Sequence, residues 1–309
     1  MNALHLSPAP QAALASGRIE IRHAGLQFDQ PVGAPFVALD DVSLTVEPGE
    51  FVSIIGPSGC GKSTLLNVVA GFMKLDSGAA TLDGAAITRP GAERGVVFQQ
   101  YSLFPWMSVR KNVEFGLMMQ DVPTAKREAT ARTLLEVAGL LAFENHYPDQ
   151  LSGGMKQRVG IVRALATSPR VLLMDEPFGA LDAQTRAVMQ EVLTNMWQRL
   201  RISVLFVTHD IDEAVFLSDR VYVMTSRPGR IKAIIPVDLP RPRTPETTTS
   251  TEYVALVQRL RALIRAESLQ AMGSELPAKS GENGTAGGVG ILEQEDVSDG
   301  FGIGTTSER

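Results

Sequence analysis

Residues 56–63, Gly-Pro-Ser-Gly-Cys-Gly-Lys-Ser, fit G-x-x-x-x-G-K-[ST] at every fixed position. The apolar run Phe51–Ile55 precedes them and helix-forming residues follow at once, so the spacing reads as strand, loop and helix. Glycine lets such a loop turn tightly with its N–H groups inward, and a helix opening at Lys62 adds a positive dipole end. Gly56, Pro57, Ser58, Gly59, Cys60 and Gly61, continued by Ser63 and Thr64, therefore form an anion cradle suited to a nucleoside triphosphate. Lys62 is placed to reach the β- and γ-phosphates and Ser63 to ligate Mg²⁺. A second group of reactive residues ends the apolar run Val171–Met174, where Asp175 and Glu176 follow. Asp175 would hold Mg²⁺ through water and Glu176 would be the general base that polarises the attacking water. Alone, an acidic pair after a strand is as often a solvated turn; the phosphate loop upstream gives it a reaction to serve. Ser152-Gly153-Gly154 opens a further helix and is either another anion cradle or an ordinary capping serine.

These groups need a frame. Arg18–Phe28 and Phe36–Val46 alternate well enough for two strands, and Ala79–Asp83 and Gly95–Phe98 read as shorter ones between turns. From Val109 to Ala166 the apolar period becomes helical, which predicts a helical subdomain inserted over about residues 100–168. Val171–Met174, Val204–Val207 and Val221–Met224 are continuous apolar runs of the kind buried on both faces of a parallel sheet. The expected fold class is α/β, a mixed-sheet core with an antiparallel β-subdomain and a helical insertion. Residues 1–17 predict a disordered leader, 18–237 the nucleotide-binding domain, 238–270 a linker and amphipathic helix, and 271–309 a disordered acidic tail.

The segment Leu151-Ser152-Gly153-Gly154-Met155-Lys156-Gln157-Arg158 just precedes the Asp175 strand. There the chain resembles the ATPase subunit of an ATP-binding-cassette (ABC) transporter, a P-loop NTPase of ABC type, and the resemblance covers about Ile19–Val237. It implies ATP and Mg²⁺ as cofactors and a second copy of the chain as partner in an ATP-sandwich dimer. Ser152 and the amides of Gly153 and Gly154 would then meet the γ-phosphate of ATP held by the opposite copy. Gln99 matches the glutamine that contacts Mg²⁺ and the attacking water. Asp182, in Gly179-Ala180-Leu181-Asp182, matches the loop that crosses the dimer interface. His209, in Thr208-His209-Asp210, matches the switch histidine that hydrogen-bonds the γ-phosphate and holds Glu176 in place. Phe28 matches the aromatic residue that stacks on adenine, with Phe36 as the other candidate. Met155 stands where the family's commonest form has Gln, and in that it resembles one importer subgroup.

In the family the stroke of the dimer is received by a helix of an integral membrane permease, which an extracellular or periplasmic solute-binding protein supplies. Tyr101, Leu103, Phe104, Pro105 and Trp106 offer an apolar lip for such a helix, or else pack the helical insertion. LSDRVYVMTSRPGRIKAIIPVDLPRPR and LSGGMKQRVGIVRAL look most like the nitrate/sulfonate/taurine importer group, with bicarbonate, cyanate and thiamine precursors as further possible cargo. The resemblance implies a peripheral protein on the cytoplasmic face of the membrane. A soluble ABC ATPase of DNA repair or translation is the alternative; the long coiled-coil insertion or second cassette of those proteins is not found.

Bulk properties bound the rest. In 309 residues that are 44% hydrophobic, no apolar run approaches the roughly 20 residues of a membrane span, and no signal-peptide pattern opens the chain. Cys60 is the one cysteine, so neither an intrachain disulfide nor a cysteine zinc site can form. It is expected as a small residue in a tight turn, where alkylation would block ATP binding and ATP would protect. The net charge of −5 sits in residues 271–309, where seven acids face two bases, and the neutral remainder argues against a nucleic-acid partner.

Overall fold

The computed structural model describes residues 17–275, apart from Val32 and Tyr101, with residues 270–275 described as helix alone. Nearly all of the expected leader and tail, and Tyr101 of the expected lip, lie outside the described residues. In chain order the strands are β1 (Ile19–Phe28), β2 (Phe36–Val46), β3 (Phe51–Ile55), β4 (Ser77–Leu82), β5 (Ala85–Ala86), β6 (Arg94–Val97), β7 (Val171–Asp175), β8 (Ser203–Val207), β9 (Arg220–Met224) and β10 (Ile231–Pro236). The α-helices are α1 (Lys62–Ala70), α2 (Val109–Met119), α3 (Thr124–Val137), α4 (Gly153–Ala166), α5 (Ala183–Leu200), α6 (Ile211–Leu217) and α7 (Thr251–Glu275).

Two sheets carry the site. A four-stranded antiparallel sheet has the order β2-β1-β4-β5, and a six-stranded sheet has the order β10-β9-β3-β8-β7-β6. Within the larger sheet β9, β3, β8, β7 and β6 run parallel, and β10 closes its edge antiparallel to β9. Side chains on the parallel strands alternate between two cores. Phe51, Met174, Phe206 and Val223 join the core built with α4, α5 and α6, whereas Val52, Leu173, Leu205 and Tyr222 join the one built with α1 and the antiparallel sheet. Burial of both faces is the physical reason these runs are uninterrupted in sequence. Because β3, β7 and β8 are parallel, their carboxyl ends deliver Gly56, Asp175 and Thr208 to one edge of the sheet, the crevice where ligands bind in such folds.

The helical insertion consists of α2, α3 and α4 packed together; Ser108 caps α2 by accepting from the Lys111 amide. Among the described residues no helix is long and apolar enough to cross a membrane. One expectation needs correction: the start of the segment read as a linker is anchored to the core. Arg243 is only 3% exposed and donates to the carbonyls of Val215, Phe216, Ser218, Val237 and Leu239. Arg241 lies 4.2 Å over the Trp197 ring and pairs with Asp219 at 2.7 Å. A Pro- and Arg-rich composition reads as solvated spacer, yet each arginine here finds carbonyls or a carboxylate left open by the core. Helix α7 also runs past the expected end at residue 270, to Glu275.

Candidate nucleotide site

Gly59 and Gly61 adopt φ of 72° and 96°, the left-handed conformations that bring the loop back on itself. At Gly61 a Cβ would also meet the Ala38 carbonyl oxygen at 2.8 Å, so the position excludes other residues on two counts. Lys62 opens α1 and folds over the loop, its Nζ donating to the carbonyls of Gly56 and Pro57, both at 2.9 Å. Cys60 Sγ lies beneath the loop, 3.8 Å from the same Nζ. It is 1% exposed within the core there, and burial pushes its thiol pKa up, both of which disfavour the expected alkylation. Ser63 Oγ donates to Asp175 Oδ1 at 3.0 Å, which joins the phosphate loop to the end of β7.

Glu176 follows with φ of 43°, a left-handed conformation that costs a non-glycine residue on the order of 1 kcal/mol. Its amide donates to the Val207 carbonyl at 2.9 Å, fixing it beside the end of β8. Oε2 of Glu176 stands 3.1 Å from His209 Nδ1 and accepts from Gln99 Nε2 at 3.5 Å. Asp175 is held above its ordinary pKa by burial, with the Ser63 hydrogen bond working in the opposite direction.

Behind His209 lies a second layer of polar groups. Thr208 Oγ1 donates to Glu213 Oε2 at 2.6 Å, and Asp210 caps α6 by accepting from the Glu213 amide at 3.1 Å. Arg186, on α5, donates to Asp210 Oδ2 at 2.9 Å and to the Leu181 carbonyl at 3.1 Å. The loop that carries His209 is thereby tied to the loop that carries Asp182.

One cleft of about 580 Å³ gathers Ser58, Gly59 and Gly61–Thr64 of the loop, Glu176 and His209, and Phe36, Ala38 and Arg227. Of the two candidates for adenine stacking, Phe36 and not Phe28 lines the cleft. Pairing of β1 with β2 sets Phe28 opposite Phe36 at the hairpin end, their rings stacked at 6.4 Å, and it is Phe36 that faces the cleft. Among the described residues Gln99 meets the site through Glu176. Ser152 and Asp182 lie outside the cleft, each capping its helix: Ser152 Oγ accepts from the Met155 amide at 3.3 Å and Asp182 Oδ1 from the Thr185 amide at 2.9 Å. Gly153 and Gly154 begin the same helix as Ser152, and Gly154 packs so closely on α5 that a Cβ would meet Thr185 Cγ2 at 2.6 Å.

Sequence reasoning missed Arg227, Arg186 and Glu213. Ser226-Arg227-Pro228-Gly229 has the composition of a plain turn, and nothing in its spacing says that one side chain returns over the phosphate loop.

A protein-family model described as "ABC transporter" matches residues 39–179. Over 204 residues the chain is 56% identical to the nitrate import ATP-binding protein NrtD of Synechocystis sp., an alignment covering 66% of this chain and 77% of that protein. The chain belongs to the ABC transporter ATP-binding family. This ABC ATPase is also 48% identical over 252 residues to the taurine import ATP-binding protein TauB of Rhizobium johnstonii, covering 80% and 96% of the two chains. Among solved structures it matches a dimeric post-hydrolysis state of the ATP-binding cassette MJ0796 bound to ADP and Pi, with a TM-score of 0.63 and 32% identity over 71% of this chain and 98% of that one.

Proposed function

We propose that the chain energises a membrane importer of small anions, nitrate or a sulfonate such as taurine, by hydrolysing ATP as a sandwich dimer on the cytoplasmic face of the membrane. The observation that carries hydrolysis is the convergence of Lys62, Glu176 and His209 on one cleft, with Gln99 on the same carboxylate, and likeness to the nitrate and taurine import ATP-binding proteins supports the cargo. Lys62 would exchange its two carbonyl partners for β- and γ-phosphate oxygens, a gain because a charge-assisted contact to an anion is the stronger one. The Glu176 carboxylate would take the proton of a water aligned on the γ-phosphorus, and His209 would hold that carboxylate while donating to the γ-phosphate.

The Ser63 hydroxyl and Asp175 carboxylate, 3.0 Å apart, are hard oxygen donors that fit Mg²⁺, with Gln99 as a further donor. Mg²⁺ bound there would neutralise charge on the β- and γ-phosphate oxygens. Ser152, Gly153, Gly154 and Asp182 stand outside the cleft at helix N-termini, which supports their use against nucleotide on a second copy. Hydrolysis would then remove the shared γ-phosphate and reopen the pair. For the permease, Phe104 packs on Phe115 of the helical insertion at 4.6 Å while Trp106 is 70% exposed, so packing and docking fall to different residues of the lip.

The test is growth of the source organism with this chain deleted, on nitrate as sole nitrogen and on taurine as sole sulfur, complemented with wild type or Glu176→Gln. A defect on one nutrient that only wild type restores is expected. Normal growth on both would refute the nitrate or sulfonate assignment.

A further inference from the structure

Arg227 lies in the segment that resembles the importer group but has no role in the nucleotide motifs, yet its side chain forms part of the cleft wall. Its guanidinium lies 5.2 Å over the Phe36 ring, and Nε donates to the Gly59 carbonyl of the phosphate loop at 3.2 Å. That is the one hydrogen bond the side chain makes among the described residues, so most of its N–H groups stay free for a ligand in the cleft. A Cβ placed on Gly59 would come within 2.5 Å of Arg227 Nη2, which shows how closely the guanidinium covers the loop. Arg227 thus bridges the aromatic wall and the phosphate cradle.

The turn that bears it is held from three sides. Across its mouth the Thr225 amide donates to the Arg230 carbonyl at 2.9 Å. Gly229 is laid along β2, donating to the Ala38 carbonyl at 3.1 Å and accepting from the Asp40 amide at 3.0 Å. The third hold comes from the C-terminal helix: Glu267 of α7, 3% exposed, accepts from the Ser226 amide at 2.8 Å and pairs with Lys232. One buried carboxylate therefore grips the residue next to Arg227.

We propose that Arg227 is a nucleotide-binding residue whose planar guanidinium stacks on the purine base beside Phe36, and that Glu267 is a positioning residue through which α7 sets nucleotide affinity. This rests on the nucleotide reading of the cleft. Planarity is the property at stake, because a guanidinium stacks on an aromatic face and an ammonium on a flexible stem does not.

The test is ADP binding to the full chain by titration calorimetry, with Lys62→Ala as the control for the cleft itself. Should wild type bind no ADP, or Lys62→Ala bind as wild type does, the reading of the cleft fails; should those behave and Arg227→Ala bind like wild type, this inference alone fails. Arg227→Ala is expected to weaken ADP about five- to tenfold, between the worth of an exposed and of a desolvated cation–π contact. Arg227→Lys keeps the charge and should recover little of the loss; full recovery overturns the stacking assignment. Glu267→Gln is expected to weaken ADP in the same direction, and Arg227→Ala combined with Glu267→Gln should bind no worse than Arg227→Ala alone. Additive losses would mean that Glu267 acts elsewhere and would overturn its positioning role. Thermal unfolding of each variant with and without ADP confirms that the chain is folded, and affinity lost through general destabilisation would not follow this non-additive pattern.

Discussion

Glu176 Oε2 lies 3.1 Å from His209 Nδ1, across the gap between the ends of neighbouring parallel strands. Neither side chain is buried: the histidine is 62% exposed and the glutamate 22%, so water has access to the carboxylate. The contact orients an acid that its own backbone would not place, since Glu176 holds a left-handed φ. Replacing His209 by Ala frees that carboxylate and would remove the proposed donor to the γ-phosphate. We predict that His209→Ala lowers kcat for ATP about 100-fold while ADP affinity changes little, measured by phosphate release and by ADP titration. An unaltered kcat would remove His209 from the reaction.

Lys62 is 6% exposed and donates to two carbonyls of its own loop. Hydrogen bonds made by a charged group contribute about 1.5–3 kcal/mol, so loss of its phosphate contacts should weaken ATP tenfold or more. Lys62→Ala is accordingly expected to fail to retain ATP in equilibrium dialysis. Retention equal to wild type would contradict the role of the loop.

Burial pushes the Glu213 carboxyl up to about 7 from an ordinary 4.5, with the Thr208 hydrogen bond and Arg186 working the other way. Between those values the folded chain binds more protons than the unfolded one, so the group destabilises the fold as pH rises through the window, fully above it. The penalty is on the order of 3 kcal/mol at most. Glu213→Gln, which keeps an acceptor for Thr208, should gain stability relative to wild type between pH 5 and 8 as judged by urea unfolding, values bracketing about the titration window. A difference that is flat with pH would refute the assignment.

Arg243 holds together the carbonyls at the end of α6 and those following β10. Its burial lowers its own pKa to about 10, which still leaves it charged at neutral pH. Arg243→Met fills the space but leaves buried carbonyls without donors, and we predict a loss on the order of 4 kcal/mol in denaturant unfolding. A change below about 1 kcal/mol would mean that water replaces the guanidinium.

The residues of the phosphate loop, the acidic pair and the switch histidine were legible because they follow buried parallel strands, where the end of an apolar run marks both the strand and its carboxyl edge. Phe51–Ile55 ahead of Gly56, Val171–Met174 ahead of Asp175 and Val204–Val207 ahead of Thr208 all follow that rule. What escaped depends on contacts between segments far apart in sequence. Phe28 and Phe36 are equivalent aromatic residues in one hairpin, and only the pairing of the strands with the loop decides which faces the cleft. Arg227, Arg243 and Glu267 occupy stretches with the composition of turns, spacers or exposed helix, and their roles come from carbonyls and amides that distant elements present to them. The orientation of Cys60 was likewise invisible, because a loop residue can face the ligand or the core at the same spacing.

The most direct measurement is phosphate release from ATP by wild type and by Glu176→Gln, followed by size-exclusion chromatography in ATP. If Glu176 is the general base of an ATP-sandwich cassette, the variant should hydrolyse at least about 100-fold more slowly and accumulate as a nucleotide-bound dimer. Release at a rate near that of wild type, or a variant that stays monomeric in saturating ATP, would contradict the account.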